Sequence, residues 1–386
     1  MSNLLLRHAV ITLPLLGTAM TVWGAEDAKP DALSADVGVR HTWDSNYDRE
    51  ADGNDERITV AYAGAEVNTD ISRQHFSGRI GVARYIHDRR DYLDATGYNG
   101  GLAWRGELGD TFRTLVSWSR KDRPADRIDF IGNDIITYDD KQATLVYVMN
   151  TSWEIPLTVR EAEQTHDNDS RRTLDYTDKE LFTGVRYRSG RNSTVMLRLV
   201  NGEREYPNQA TPIPAGQDLN FDYQRAEVET NWAFSKKTRL TGVVGYFQRD
   251  GEVNDGNGLQ ALLEGNWQAS SKTLLTLGYN YDQPPLGEDS ENASDTQRVY
   301  IGAEWDATPK LSVKTGAKQV WQSFDNTLQT SARDETVNVV TPLIVAYQFT
   351  DVVGVDLVSA WQKRHSPIAS RDYSATELTL ELKAEF

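Results

Sequence analysis

The chain ends LTLELKAEF, Leu378 to Phe386. Leu378, Leu380, Leu382, Ala384 and Phe386 alternate with Thr379, Glu381, Lys383 and Glu385. Side chains of an extended strand point alternately to its two faces. All five apolar residues therefore share one face, the charges take the other, and the chain stops on an aromatic ring.

A strand of this kind at the C-terminus reads as the assembly signal of a bacterial outer-membrane barrel, with Phe386 as its key residue. The rest of the chain agrees. Alternating segments of about ten residues, the length of a spanning strand, recur from residue 35 onward. Ile58-Val60-Tyr62, Phe112-Val116-Trp118, Val195-Leu197-Leu199 and Val299-Ile301-Ala303-Trp305 are typical. Two kinds of spacer alternate between them. Short ones include Gly106–Asp110, Ser189–Asn192, Ala233–Lys237, Gln268–Lys272 and Asp306–Lys310. Long acidic ones include Asp44–Glu56, Asp122–Asp139, Asn201–Asp218, Asp282–Asp295 and Ser323–Glu335. Barrels show this asymmetry, with periplasmic turns at one end and extracellular loops at the other. The expected fold is all-β: a transmembrane, antiparallel, up-and-down β-barrel over 35–386 with about 18 strands, or 16 as the fallback. An even count puts both termini in the periplasm. The seventh strand, 157–166, is the weakest because Val159 is followed by polar REAEQTHD.

A repeat supports this reading. NWAFSKKTRLTGVVGY at Asn231–Tyr246 matches NWQASSKTLLTLGYNY at Asn266–Tyr281, and EWDATPKLSVKTGA at Glu304 is a third copy. The offset of roughly 35–38 residues is one hairpin, although such a period also suits a solenoid or propeller. Aromatics favour the barrel. Trp104, Trp232, Trp267, Trp305, Tyr347 and Phe386 fall at one set of strand ends, and Trp43, Trp118, Tyr246, Trp321 and Trp361 at the other. Two outward girdles at the membrane interfaces are expected.

The first 25 residues, MSNLLLRHAVITLPLLGTAMTVWGA, read as a signal peptide cut after Gly24 or Ala25, with a signal anchor as the alternative. A short periplasmic segment, 26–34, would follow. A mean hydropathy of -0.58 would ordinarily mean a soluble protein, but only alternate barrel residues face lipid. Cys is absent, which excludes disulfides, thiol catalysis and Cys-ligated metals. The net charge of -16 argues against a nucleic-acid partner.

The parity opposite to the apolar one should line the bore. It carries Arg40, Arg79, Arg105, Arg113, Lys121, Arg160, Arg186, Arg188, Arg198, Arg204, Arg225, Arg239, Arg249, Arg298, Lys314, Lys318 and Arg364. Fewer carboxylates share it: Glu107, Glu227, Glu229, Glu264, Asp282, Glu304, Asp356 and part of the last strand. Such a lining favours anions, unless the arginines merely brace the wall. Arg79, Arg113, Arg186, Arg188, Arg198, Arg239, Arg298, Lys314 and Lys318 are the candidate substrate path, with Arg186, Arg188 and Arg198 expected to form one cluster. Asp122–Asp139, with its apolar FIGNDII, and Pro-rich Tyr206–Gly216 are the loops expected to fold inward. His87-Asp88 and His166-Asp167 lie at strand tips without a Ser or second His at a defined spacing. No enzyme activity, cofactor or metal site is expected.

HTWDSNYD at His41–Asp48, the repeated Trp-turn-Leu hairpins, the leader and the terminal Phe make the chain resemble the EpsL-like family of outer-membrane barrels of exopolysaccharide export. Its Arg-rich, eighteen-stranded layout is also similar to that of the alginate exporter. The resemblance spans the mature chain, with Thr42–Asn46 as its motif-like part. It implies an outer-membrane conduit for an anionic exopolysaccharide, working with a periplasmic polysaccharide export protein and inserted by the barrel assembly machinery. A general or anion-selective diffusion porin is the alternative, and a structural or adhesive barrel the third possibility.

Overall fold

The computed structural model describes residues 33–127, 130, 132–191, 193–286, 293–325 and 332–386. The expected leader, and all but the last two residues of segment 26–34, lie outside the described residues. The first six strands are β1 (Leu33–Asp44), β2 (Glu56–Ile71), β3 (Gln74–His87), β4 (Ala95–Leu108), β5 (Phe112–Pro124) and β6 (Ile135–Val148). Then come β7 (Trp153–His166), β8 (Tyr176–Arg188), β9 (Thr194–Glu205), β10 (Phe221–Ala233), β11 (Thr238–Gly251) and β12 (Gly256–Ser270). The last six are β13 (Thr273–Asp282), β14 (Asp295–Thr308), β15 (Leu311–Phe324), β16 (Arg333–Gln348), β17 (Val353–His365) and β18 (Tyr373–Glu385).

Each strand pairs antiparallel with its chain neighbours, and β1 also pairs with β18. The result is a closed barrel of 18 strands, as the alternation predicts. Strand bounds follow the expected ones, with the largest difference in β6. It starts at Ile135 rather than near residue 140, because ITYDD continues the ladder with the end of β5. β7 runs straight through REAEQTHD. There its outward Glu161 pairs with Lys141 at 2.7 Å, beyond the apolar zone, so the polarity does not interrupt the strand. The repeated segments form three successive hairpins, β10–β11, β12–β13 and β14–β15.

A single face of the sheet carries the exposed apolar residues. Ile80, Leu102, Leu277, Ile301 and Leu382 are all more than half exposed, which is the surface of a barrel that stands in lipid. Every girdle residue named above shares that outward parity. Indole N–H groups at the girdles find acceptors: Trp118 donates to Asp139 Oδ1 at 3.1 Å and Trp361 to Ser374 Oγ at 3.1 Å. Closure is completed by the last residue. Phe386 N donates to Ala35 O at 2.8 Å and Ala35 N to Phe386 O at 3.0 Å. An unclosed edge would leave these groups unpaired in lipid.

β2 departs from the expected alternation. Ile58, Val60 and Tyr62 face the bore rather than lipid, Val60 being only 4% exposed, and Ala61, Ala63 and Ala65 take the outer face. The reason is a tyrosine. Tyr62 lies across Gly38 of β1, where a Cβ would collide with its ring, and donates to Glu381 Oε1 of β18 at 2.6 Å. The same device recurs twice. Tyr223 of β10 crosses Gly202 of β9 to reach Glu180 of β8 at 2.9 Å. Tyr300 of β14 crosses Gly278 of β13 to reach Glu264 of β12 at 2.8 Å. Each joins three strands on the inner wall, and each needs a residue without Cβ in the middle.

Two outcomes are expected. Deleting Phe386 removes the two closing hydrogen bonds and should lower the heat-modifiable, folded fraction in membranes; unchanged folded yield would show the terminal ring to be incidental. Single cysteines at Asn208, at the loop end, should react with an impermeant thiol reagent on intact cells, whereas cysteines at Ser189 or Ser270, at the turn end, should not. The opposite pattern would invert the orientation.

Candidate functional site

The bore is charge-rich, and its two sides are built differently. Along β6 to β10 the inner face is a tight network. Arg160 binds Asp140 at 2.6 Å and Glu180 at 3.1 Å, and Arg225 pairs with both Glu180 and Glu227. Arg198 forks onto Glu227, while Arg204 forks onto Asp178 and lies over the Tyr176 ring at 4.2 Å. Tyr176, Val200, Tyr206, Phe221 and Tyr223 fill the space beside these pairs. Glu227 and Arg198 are buried. Removing one partner of such a pair typically costs about 3–5 kcal/mol, because the other charge is left without compensation. These arginines brace the wall.

That corrects the expected grouping of Arg186, Arg188 and Arg198. Arg198 belongs to the wall network through Glu227 and, at 3.7 Å, Glu229. Arg186 and Arg188 join Arg113 around a different carboxylate. Glu154 of β7, only 3% exposed, lies 2.6 Å from Arg113, 3.1 Å from Arg188 and 3.6 Å from Arg186. Arg186 is the register partner of Glu154, while Arg113 reaches it across β6. This cluster sits at the turn end of the bore.

A second convergence stands at the loop end. Glu335, fully buried at its side chain, receives Arg333 at 2.8 Å, Arg371 at 2.7 Å, Arg364 at 3.6 Å and the Ser366 hydroxyl at 2.9 Å. Its arginines are largely buried themselves, which makes it a strut between β16, β17 and the β17–β18 loop.

On the remaining wall the cations are looser. Arg79, Arg105 and Arg239 are exposed to the bore. Arg298 of β14 donates to Asn280 Oδ1 at 2.6 Å, Lys314 pairs with Glu304 at 3.2 Å, and Lys318 of β15 has Arg298 on the adjoining strand. Among the described residues, Arg40, Arg79, Arg105, Lys121, Arg298 and Lys318 have no carboxylate within the 4.0 Å of an ion pair. The basic excess is nonetheless smaller than the sequence suggests. Asp36, Asp44, Glu56, Glu66, Asp140, Glu154, Asp178, Glu180, Glu335, Glu377 and Glu381 also face inward. Most of these are taken up by an arginine or a tyrosine, so they escape a reading that looks for exposed acids.

The mouth at the loop end is partly covered. Past β5 the connection to β6 is closed at its neck by Ala125 N donating to Asp134 O at 2.9 Å. On one flank Arg171 stands over the Phe130 ring at 4.8 Å and Asn168 Nδ2 donates to Asn133 O at 2.9 Å. On the other flank Arg127 Nε donates to the Tyr47 hydroxyl at 3.0 Å, which leaves that hydroxyl hydrogen for His87 Nε2, also at 3.0 Å. Burial pushes the Tyr47 hydroxyl above its ordinary range, against the opposing Arg127 guanidinium, so it stays a neutral donor. Asp126 lies within electrostatic reach of Lys318 on β15 and of Tyr373 and Glu377 on β18. A residue just past β5 reaches those strands only across the bore, so the chain leans inward at Asp126. The other inward candidate, Tyr206–Gly216, enters the interior only with Tyr206, which is 2% exposed.

His87 and His166 pair with Asp94 and Asp175, not with the neighbouring Asp88 and Asp167. Each carboxylate also accepts the backbone N–H of its own histidine, at 2.8 and 2.7 Å, so both pairs tie a loop back onto a strand end.

No protein-family model and no curated protein matches the chain. Solved structures do. OccK9 (OpdG) of Pseudomonas aeruginosa is 12% identical, over 92% of this chain and 98% of that one, with a TM-score of 0.53. OpdK of the same organism, solved with vanillate, is 11% identical over 92% and 99%, with a TM-score of 0.50. The outer membrane protein OprD, also from Pseudomonas aeruginosa, is 10% identical over 92% and 94%, with a TM-score of 0.50. At these identities the likeness is one of fold, and the fold is that of bacterial outer-membrane barrels.

The inward loop leads to one expectation. Arg127→Gln removes both the hydrogen bond to Tyr47 and the guanidinium over its ring. Single-channel conductance in planar bilayers should rise or begin to flicker, with the barrel still heat-modifiable; an unchanged steady conductance would mean that the loop does not constrict the bore.

Proposed function

We propose that the chain is an outer-membrane diffusion channel with a preference for small anions, its loops outside the cell and its termini in the periplasm. The observation that carries this is the pair Arg298 and Lys318. They are neighbours on β14 and β15, Lys318 standing opposite Tyr300 and Arg298 opposite Val320. Like charges side by side on a sheet are destabilising, and a wall brace would place a carboxylate between them. Here Asp126 and Asp282 act only from a distance. Cations without a fixed counter-ion among the described residues attract mobile anions in a confined, low-dielectric bore.

An eighteen-stranded barrel encloses enough space for an aqueous path. The packed wall along β6 to β10 and the inward loop narrow that space, which suits a small solute better than a polymer chain. OpdK, similar in fold, was solved with a carboxylate, vanillate. Export of an anionic exopolysaccharide with a periplasmic partner remains the second reading. It draws on the resemblance carried by His41–Asp48 and requires the loop of residues 125–134 to swing out of the bore.

The test is the reversal potential in a KCl gradient across a planar bilayer. Wild type should show chloride preference, and Arg298→Gln with Lys318→Gln should lower the chloride-to-potassium permeability ratio by at least about two-fold. Cation preference in the wild type would overturn the proposal. Loss of secreted polysaccharide in a deletion strain, with no anion preference in bilayers, would favour the conduit.

A further inference from the structure

Glu154 holds three guanidiniums, and their hydrogen-bonding capacity exceeds what it can accept. A carboxylate offers about four lone-pair sites, whereas each guanidinium presents about five N–H donors. The shortfall falls on two residues. Arg186 approaches Glu154 only at 3.6 Å, beyond hydrogen-bond range, and its Nη2 faces the Met196 sulfur at 3.6 Å, a weak acceptor. Arg188 reaches Glu154 with Nη2, but its buried Nε has no protein acceptor. Arg113 is better served: its Nη1 lies 2.6 Å from Glu154, and Glu107, its register partner on β4, shares its inward face.

Charge points the same way. Three guanidiniums against Glu154 and the Glu107 beside Arg113 leave one positive charge in excess, on the side of Arg186 and Arg188. Glu154 is too deeply placed to be replaced by a passing ion, so it acts as a fixed anchor that orients the arginines. Arg186 and Arg188 are two residues apart on β8 and point to the same side, which sets their Cα atoms about 6–7 Å apart. Two guanidinium forks at that spacing fit two separate carboxylates better than one. Both side chains keep some exposure to the bore, 16% and 19%.

We infer that Arg186 and Arg188, anchored by buried Glu154, form a binding site for a short dicarboxylate at the turn end of the bore. This rests on the reading of the chain as an anion channel and adds a ligand class to it. Neither Arg298 nor Lys318 takes part: those residues set the preference of the bore for anions in general, and this site selects among them.

The experiment is current block in planar bilayers, with succinate or propionate added to the turn-end side of channels carrying KCl current. Succinate should reduce the current at a concentration at least about ten-fold below that of propionate, as expected for two charge-assisted forks against one. Arg186→Gln with Arg188→Gln should erase that gap in a barrel that remains heat-modifiable. Lys236→Gln with Lys237→Gln, removing the same charge from a turn outside the bore, should keep it. A wild type without the gap, a folded Arg186/Arg188 variant that retains it, or a turn variant that loses it equally would each overturn the site. If chloride preference persists in any of those cases, only the site falls; if the wild type shows no chloride preference, the channel reading falls first.

Discussion

Everything in this structure follows from the need to pair each backbone N–H and C=O without help from water. In lipid an unpaired peptide group costs several kcal/mol, so a sheet can stand there only if it has no edge. β1 and β18 remove the edge, and their ladder runs from Asp36–Glu385 to Asp44–Glu377, with Phe386 and Ala35 closing its end. Once the sheet is closed, each side chain has only two destinations. Parity along a strand then decides between lipid and bore, and the same rule places the outer girdles and the inner charges.

Within the bore, the burial of the arginines separates bracing from conduction. Arg160, Arg198, Arg204 and Arg225 share out their carboxylates with little exposure, and truncating any one would strand a buried charge. Among the described residues, Arg79, Arg105, Arg298 and Lys318 have no carboxylate within ion-pair range, and Arg298 and Lys318 lie on neighbouring strands. The Glu154 cluster is intermediate: anchored like the first group, under-satisfied like the second. The packed pairs are concentrated along β6 to β10, with the Glu335 strut at β16 and β17, and the looser cations stand on β3, β4, β14 and β15.

The inward loop adds a steric element. Arg171 and Phe130 hold one flank and Arg127 and Tyr47 the other, so the segment is tied to both neighbouring loops while Asp126 extends towards β15 and β18. A carboxylate within electrostatic reach of Lys318 would lower the attraction of that cation for a passing anion. In the proposed anion channel, the balance between the two would set how long an anion dwells at the mouth, since conduction needs binding weak enough to release.

Strand number, strand bounds, girdles and the inward parity of the basic residues were legible in the linear sequence, because a period of two is a local property that closure does not alter. Three features were not legible. β2 presents its large residues to the bore because Tyr62 must cross Gly38 to reach Glu381, a contact between residues at opposite ends of the chain. Asp178, Glu180 and Glu335 look like ordinary strand and loop acids until their arginines are brought alongside. Arg198 parts from Arg186 because Glu227 and Glu154 compete for neighbouring guanidiniums across strands. Alternation along one strand therefore determined which side chains share a face, while lateral register between strands decided which charges meet. Register is set by hydrogen bonding and packing around the whole closed sheet, so no single segment contains it.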